Sequence, residues 1–382
     1  DEDSFRDHAK ANNVRYFGKS TPELLAAQAL VLRAQIRQAS ESKRWSKDRE
    51  QFARAIDTLL VNADAETTQA YPSIWGMAES IVTYELWQRK DSDTRGTYFG
   101  AKRTHRDEVN RILKSILGAV KESGMWGEAN PSAYGDVEQG NSVAAFVGKS
   151  VEADMFNTFA ALRGIEAAQS LSFKVDSSFF PRLAATLLAA QAPADPEATN
   201  FHRVFKDAKG KTRVEEVSAF GRAWTLTGDL VHAKSERPIL RTGASTAAAL
   251  FALKVCEDNL SKREIRDLEE RFGESAIAKA ERDAIAWIEG NHIADGNPAN
   301  DGLNLKAQYS NYRFFYTYAM RHAYRRTGDV ALVKAPMVTT LTSDITAERT
   351  KVPGMFARES MRIGMINWPV RRAYIALAML GD

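Results

Sequence analysis

The chain has 382 residues, 44% of them hydrophobic, and its 52 basic against 49 acidic residues leave a net charge of +3. That supplies apolar material for one large domain or two ordinary ones, and the near-balance of charge argues against a disordered charged tail and against a dedicated nucleic-acid binder. The single cysteine, Cys256, excludes an internal disulfide framework, a cysteine zinc site and an iron–sulfur cluster, and no apolar run of about 18 residues is present to span a membrane.

The sequence begins Asp1-Glu2-Asp3. An acidic start without Met is what signal-peptide cleavage leaves, and equally what trimming leaves. The expectation is export to the periplasm or the exterior, with the cytoplasm as the alternative. Thr21-Pro22-Glu23 then opens a helix, with Thr as cap, Pro at the first helical position and Glu in the first turn. Leu24, Leu25, Ala27, Gln28, Leu32 and Ile36 form its stripe. A second helix carries Phe52, Ile56, Leu59 and Leu60 on one face, completing a helical hairpin.

The unit returns along the chain. Residues 73–90 pair with 106–121, 152–170 with 177–191, 244–260 with 275–289, and 309–327 with 330–350. Residues 368–380 form a last helix, whose partner is the amphipathic stretch before Gly18. In each of about six pairs a helix rich in small and aromatic residues precedes a more amphipathic one. Short stretches repeat as well: Asn157-Thr158-Phe159-Ala160-Ala161-Leu162, Ser245-Thr246-Ala247-Ala248-Ala249-Leu250 and Ala373-Tyr374-Ile375-Ala376-Leu377-Ala378. Ala-rich helices approach neighbours closely, which suits an inner ring with the amphipathic helices outside.

The links between pairs are long, notably 122–151, 191–243, 290–308 and 351–367. In a ring they all fall at one mouth, and long loops are where function concentrates. The longest holds strand, turn and strand: His202 to Lys206, Asp207-Ala208-Lys209-Gly210, and Thr212 to Glu215. The expected fold is all-α, with this small β-hairpin in a long loop, and residues 1–382 form a single domain.

Tyr316 to Asp329 resembles a helix end of squalene-cyclase-like and prenyltransferase-like repeat proteins. Trp287-Ile288-Glu289 and Asn367-Trp368-Pro369 fit the same series. The resemblance covers about residues 20–380 and implies an α6/α6 toroid, six inner and six outer helices around a central cavity; it says little about activity. Protonating terpene cyclases of that family carry Asp-x-Asp-Asp at the start of an inner helix. Glu152 and Asp154 match two of its acidic positions, and Met155 replaces the last. A structural alternative is that acidic residues in a first turn favour the helix dipole. Gly124-Met125-Trp126 resembles the end of the cyclases' glutamine–tryptophan repeats, without the Gln. The zinc pattern of the prenyltransferases and the Cys-Gly-Glu-Gln of thioester domains are absent.

Six histidines are scattered, with no two at helical i, i+4 spacing, so no metal site is expected. No cofactor motif is present: neither Gly-x-Gly-x-x-Gly after a strand, nor a phosphate loop, nor Gly-x-Ser-x-Gly. His322 lies in a helix with Tyr312, Tyr316, Tyr318, Arg321 and Arg325, and Tyr312, Tyr316 and His322 form the candidate set. Tyr, His and Arg are the groups that abstract a proton and neutralise a uronate in toroidal polysaccharide lyases; the alternative is an aromatic core stripe. Asp136, Glu138, Glu152 or Asp154 could supply a carboxylate pair for glycoside hydrolysis. Arg358, Arg362, Arg371 and Arg372 form a basic patch that suits an anionic ligand or a solvated face.

The leading expectation is a protein that binds a small molecule, saccharide or protein ligand at the loop-rich mouth. Its contact residues are Trp75, Trp126, Asp136, Asn157, Arg241, Trp368 and Arg371. The alternatives are a polysaccharide lyase or glycoside hydrolase, and a divergent terpene cyclase, drawing on Glu152, Asp154, Tyr312, Tyr316 and His322.

Overall fold

A computed structural model of the chain describes residues 22–40, 45–64, 73–90, 104–127, 153–195, 197, 200–225, 241–293, 297–300, 306–309 and 313–327. In chain order the elements are α1 (Pro22–Ser40), α2 (Trp45–Ala63), α3 (Ile74–Lys90), α4 (His105–Gly118), α5 (Met155–Ser170), α6 (Phe180–Ala190), β1 (Asn200–Lys206), β2 (Thr212–Ser218), β3 (Arg241–Thr242), α7 (Gly243–Asn259), α8 (Lys262–Phe272), α9 (Ala276–Asn291), β4 (Asn297–Asn300), β5 (Lys306–Tyr309) and α10 (Arg313–Thr327). The described residues are mostly helical, with two small antiparallel sheets, β1-β2 and β3-β4-β5. No helix among them is long and apolar enough to cross a membrane.

Two kinds of helix alternate. In α5, every residue from Met155 to Ile165 is buried; in α7, so is every residue from Gly243 to Leu253. Helices apolar all round belong inside. By contrast, α4 buries one face, through Val109, Ile112, Leu113 and Ile116. Its start is fixed by a capping box in which Thr104 and Asp107 satisfy each other's backbone N–H groups.

Contacts in register give the helix directions. Between α3 and α5, Glu79 pairs with Arg163 at 3.5 Å, and further along the Ser170 hydroxyl donates to Glu85 at 2.9 Å. Phe159 meets Phe251, and Gln169 meets Asn259, between α5 and α7. Between α7 and α10, Gly243 lies against Tyr316, and Phe251 against His322. Leu25 lies against Gly76, and Thr83 donates to the Ala29 carbonyl, between α1 and α3. The five helices α1, α3, α5, α7 and α10 therefore run parallel. Helix α4 runs the other way. His105 opens α4 beside Tyr84 and Trp87 near the end of α3, whereas Ile116, near the end of α4, accepts from Trp126 beside the start of α5.

The described parts of the links that lead into α5 and α7 lie at the N-terminal ends of those helices. The two links share a construction. The Trp126 N–H donates to the Thr158 hydroxyl (3.1 Å), its indole donates to the Ile116 carbonyl (2.7 Å), and Thr158 donates to the carbonyl of the cap residue Asp154 (2.7 Å). The Trp224 N–H donates to the Thr246 hydroxyl (3.2 Å), its indole to the Leu187 carbonyl (2.8 Å), and Thr246 to the carbonyl of the cap residue Thr242 (2.7 Å). A β-bridge follows each tryptophan, Gly127 to Ala153 and Thr225 to Arg241. The repeat thus extends from helix pairs to individual hydrogen bonds.

Three features depart from the sequence expectation. The β-hairpin is longer than its apolar core, running 200–206 and 212–218. Helix α8 is inserted between α7 and α9; it buries only Leu268, so no apolar stripe marks it, yet its Ser261–Glu264 capping box is legible. The sheet β3-β4-β5 is built from two- and four-residue strands without alternation. The expected helices at 330–350 and 368–380 and the stretch before Gly18 lie outside the described residues.

Candidate functional site

Of the residues singled out in the sequence, Asp136, Glu138, Glu152, Tyr312, Arg358, Arg362, Trp368, Arg371 and Arg372 lie outside the described residues. The others fall into three places.

At the start of α5, Asp154 is the N-cap. One carboxylate oxygen accepts the N–H groups of Phe156 and Asn157, both at 2.8 Å, and the other accepts the Asn157 amide at 2.6 Å. Asp154 and Asn157 are both buried, and Asn157 Oδ1 has no hydrogen-bond partner among the described residues. Trp126 is fully buried, edge-on to Phe179. Arg241, in β3, donates to the Pro193 carbonyl at 3.4 Å.

At the start of α10, Tyr316 is buried and its hydroxyl lies 2.9 Å from His292 Nδ1. Burial pushes the Tyr316 hydroxyl far above its usual range and pulls His292 below its own. Glu289 is nearby: it accepts the His202 N–H at 2.7 Å and faces the His202 ring at 3.2 Å. This fastens β1 to α9. Tyr324, two turns on, is also raised, by burial first and then by Tyr316 and Glu289.

The third place lies where α1, α3, α5 and α10 meet. Arg33 of α1 pairs with Glu79 of α3 and donates to the Tyr318 hydroxyl of α10 at 2.5 Å. Arg163 of α5 also faces Glu79, and its guanidinium lies 5.0 Å from the Tyr318 ring centroid. His322 packs on Tyr318 at 4.7 Å between centroids and on Phe159 at 5.9 Å. Above this cluster, toward the N-terminal end, Phe156 and Phe159 meet Phe315. Trp75, partly exposed in the first turn of α3, sets its ring against Phe315 (5.7 Å, edge-on) and Phe159 (6.5 Å).

The structure separates Tyr316 from His322. Six residues apart on a helix, they point about 120° from one another, Tyr316 toward His292 and His322 toward Phe159 and Tyr318. It brings His322 together with Tyr318, four residues back on the same face. The sequence reading passed over that i, i+4 pair, together with Arg33, Glu79 and Arg163. The tyrosine–histidine spacing was visible; the arginines and the glutamate carried no local signal. Cys256 is buried and its thiol is pushed up by that burial, so it behaves as a small apolar core residue. Among the described residues, no group of acidic, His or Cys side chains has the arrangement to hold a metal ion.

No protein-family model, curated protein or solved structure matches the chain.

Proposed function

We propose that this chain is an α/α toroid that binds a saccharide or similar ring-bearing small molecule at the N-terminal mouth of its inner helices. Five parallel inner helices, outer helices running back, and the Arg33–Tyr318 bond between the first and last described inner helices support a ring. A sixth pair from 330–350 and 368–380 would complete it.

The observation that carries the binding site is Trp75. Its ring is partly exposed at the end where the long links gather, and it is braced by Phe315 and Phe159. A braced indole offers a flat apolar face with little entropy to lose, the usual platform for a sugar ring. Calorimetric titration with a panel of neutral and uronate-bearing oligosaccharides tests it. Trp75→Ala should weaken binding by about tenfold or more, read at a temperature where circular dichroism shows the variant still folded, since the change also unpacks Phe315 and Phe159. Binding that survives Trp75→Ala unchanged, or a panel with no binder, defeats the proposal.

A second reading, a lyase acting on uronate polymers, draws on Tyr318, His322 and Arg163 meeting on the axis. Arg163 would neutralise the uronate carboxylate, and Tyr318, as a phenolate held by Arg33, would take the adjacent proton and return it to the glycosidic oxygen as that C–O bond breaks and the C=C bond forms. Tyr318 is fully buried, so this reading also requires the mouth to open. Unsaturated product from the same panel, abolished by Tyr318→Phe, would favour it over binding alone. For a cyclase, Asp154 would have to donate a proton, whereas both its oxygens accept N–H bonds that hold α5 in place.

A further inference from the structure

We propose that the outer edge of strand β2 pairs with β2 of a second copy, making a symmetric antiparallel dimer through the β-hairpin. Among the described residues, the large apolar side chains that stand exposed are Val214, at 61%, and Phe220, at 69%. Both lie on β2 or just beyond it. Every residue from Thr212 to Glu216 is exposed. The other strand is already engaged, because the His202 N–H of β1 is given to Glu289 of α9. The hairpin therefore has one covered edge and one open edge.

The hydrogen-bond phase shows which groups the open edge offers. The turn is a tight one: the Asp207 carbonyl accepts from Gly210, whose φ is 74°, and the Asp207 N–H donates to the Lys211 carbonyl. Hydrogen-bonded and non-bonded pairs alternate from there, so the Lys206–Thr212, Val204–Val214 and His202–Glu216 pairs direct their N–H and C=O groups outward. The outward N–H of His202 agrees with its bond to Glu289. On β2, Thr212, Val214 and Glu216 thus turn ladder groups outward, with no backbone partner among the described residues, spaced evenly about Val214.

Side chains choose the register. With the twofold axis at Val214, the two Val214 residues face each other, Thr212 faces Glu216, and each Arg213 sits opposite a Glu215. The Arg–Glu pairs fall at the narrow positions, where side chains approach most closely. An axis at Glu215 would set Glu215 against Glu215, and one at Arg213 would set Arg213 against Arg213. Charge on an edge strand normally blocks pairing; here the alternation makes the edge complementary to itself, as an isologous interface requires. Arg213 also reaches Asp207 within its own hairpin at 2.9 Å, an exposed pair of little worth that does not compete strongly.

Sedimentation velocity on the full chain over a concentration series tests the pairing. A reversible dimer is expected. Val214→Pro removes an N–H that points away from β1, so it should weaken dimerisation about tenfold or more with the circular dichroism unchanged. Arg213→Glu and Glu215→Arg should each weaken the dimer, and the two together should restore it, which keeps the test valid should the proline disturb the hairpin. A monomer at every concentration overturns the proposal, even one that captures an extended strand from another protein. So does a dimer indifferent to all of these changes, or a double exchange that restores nothing.

Discussion

Thr158 and Thr246 each let one hydroxyl serve two backbone groups. Each donates to the carbonyl of the residue capping its helix and accepts the N–H of the tryptophan in the preceding link. Replacing either with Val keeps the shape but leaves a buried tryptophan N–H without an acceptor, a loss of about 1–3 kcal/mol. Because the two settings repeat, Thr158→Val and Thr246→Val should cost similar amounts in urea unfolding; a large effect at one site and none at the other would show that the repeat is not energetic. Asp154 fits the same pattern. Its side chain caps α5 much as Thr242 caps α7, which explains an acidic residue there without any proton chemistry.

Among the elements, the contact of α7 with α9 carries a titratable group out of its ordinary range. Burial pushes the Glu281 carboxyl up to about 7; nearby Glu257 and Asp258 add to the shift and Lys254, 3.4 Å away, opposes it. The folded state therefore holds a proton on Glu281 that the unfolded chain has lost above the usual carboxylate range. That contribution is fully favourable below about pH 4.5 and is withdrawn as pH rises to about 7. Lys254, whose ion partners raise it despite burial, stays charged across that window. Unfolding free energy measured from pH 4.5 to 7 should fall less steeply for Glu281→Gln than for the parent; equal slopes would place the pH dependence elsewhere.

The legibility of elements followed their burial. α5 and α7 were plain because apolar residues fill them on every side, and the β-hairpin because Asp207 to Gly210 is a strong turn between alternating strands. α8 was missed because its surface faces solvent. β3 to β5 were missed because strands of two to four residues, one of them containing Pro298, exist by virtue of the neighbours that pair with them.

On the scale of the molecule, one buried polar cluster joins distant parts of the chain. Arg33 and Tyr318 are 285 positions apart, yet they share a network with Glu79 and Arg163. Removing one member of a buried ionic cluster leaves charge behind in a poor solvent, typically a loss of about 3–5 kcal/mol. Arg33→Met should raise amide hydrogen exchange in α10 as well as in α1. Faster exchange confined to α1 would mean that the Arg33–Tyr318 bond does not tie the ends of the described fold together.

The amino-acid sequence by itself determined the helical class, the alternation of Ala-rich with amphipathic helices and the place of the β-hairpin. Those depend on spacing, caps and turns that act within a few residues of each other. The tertiary structure decided which faces of the helices meet, and with that which candidate residues come together. It turned Tyr316 toward His292 and His322 toward Tyr318, used Asp154 as a cap, and gathered Arg33, Glu79 and Arg163 from three helices. None of those juxtapositions follows from local spacing, because each is set by how separate helices pack and rotate against one another.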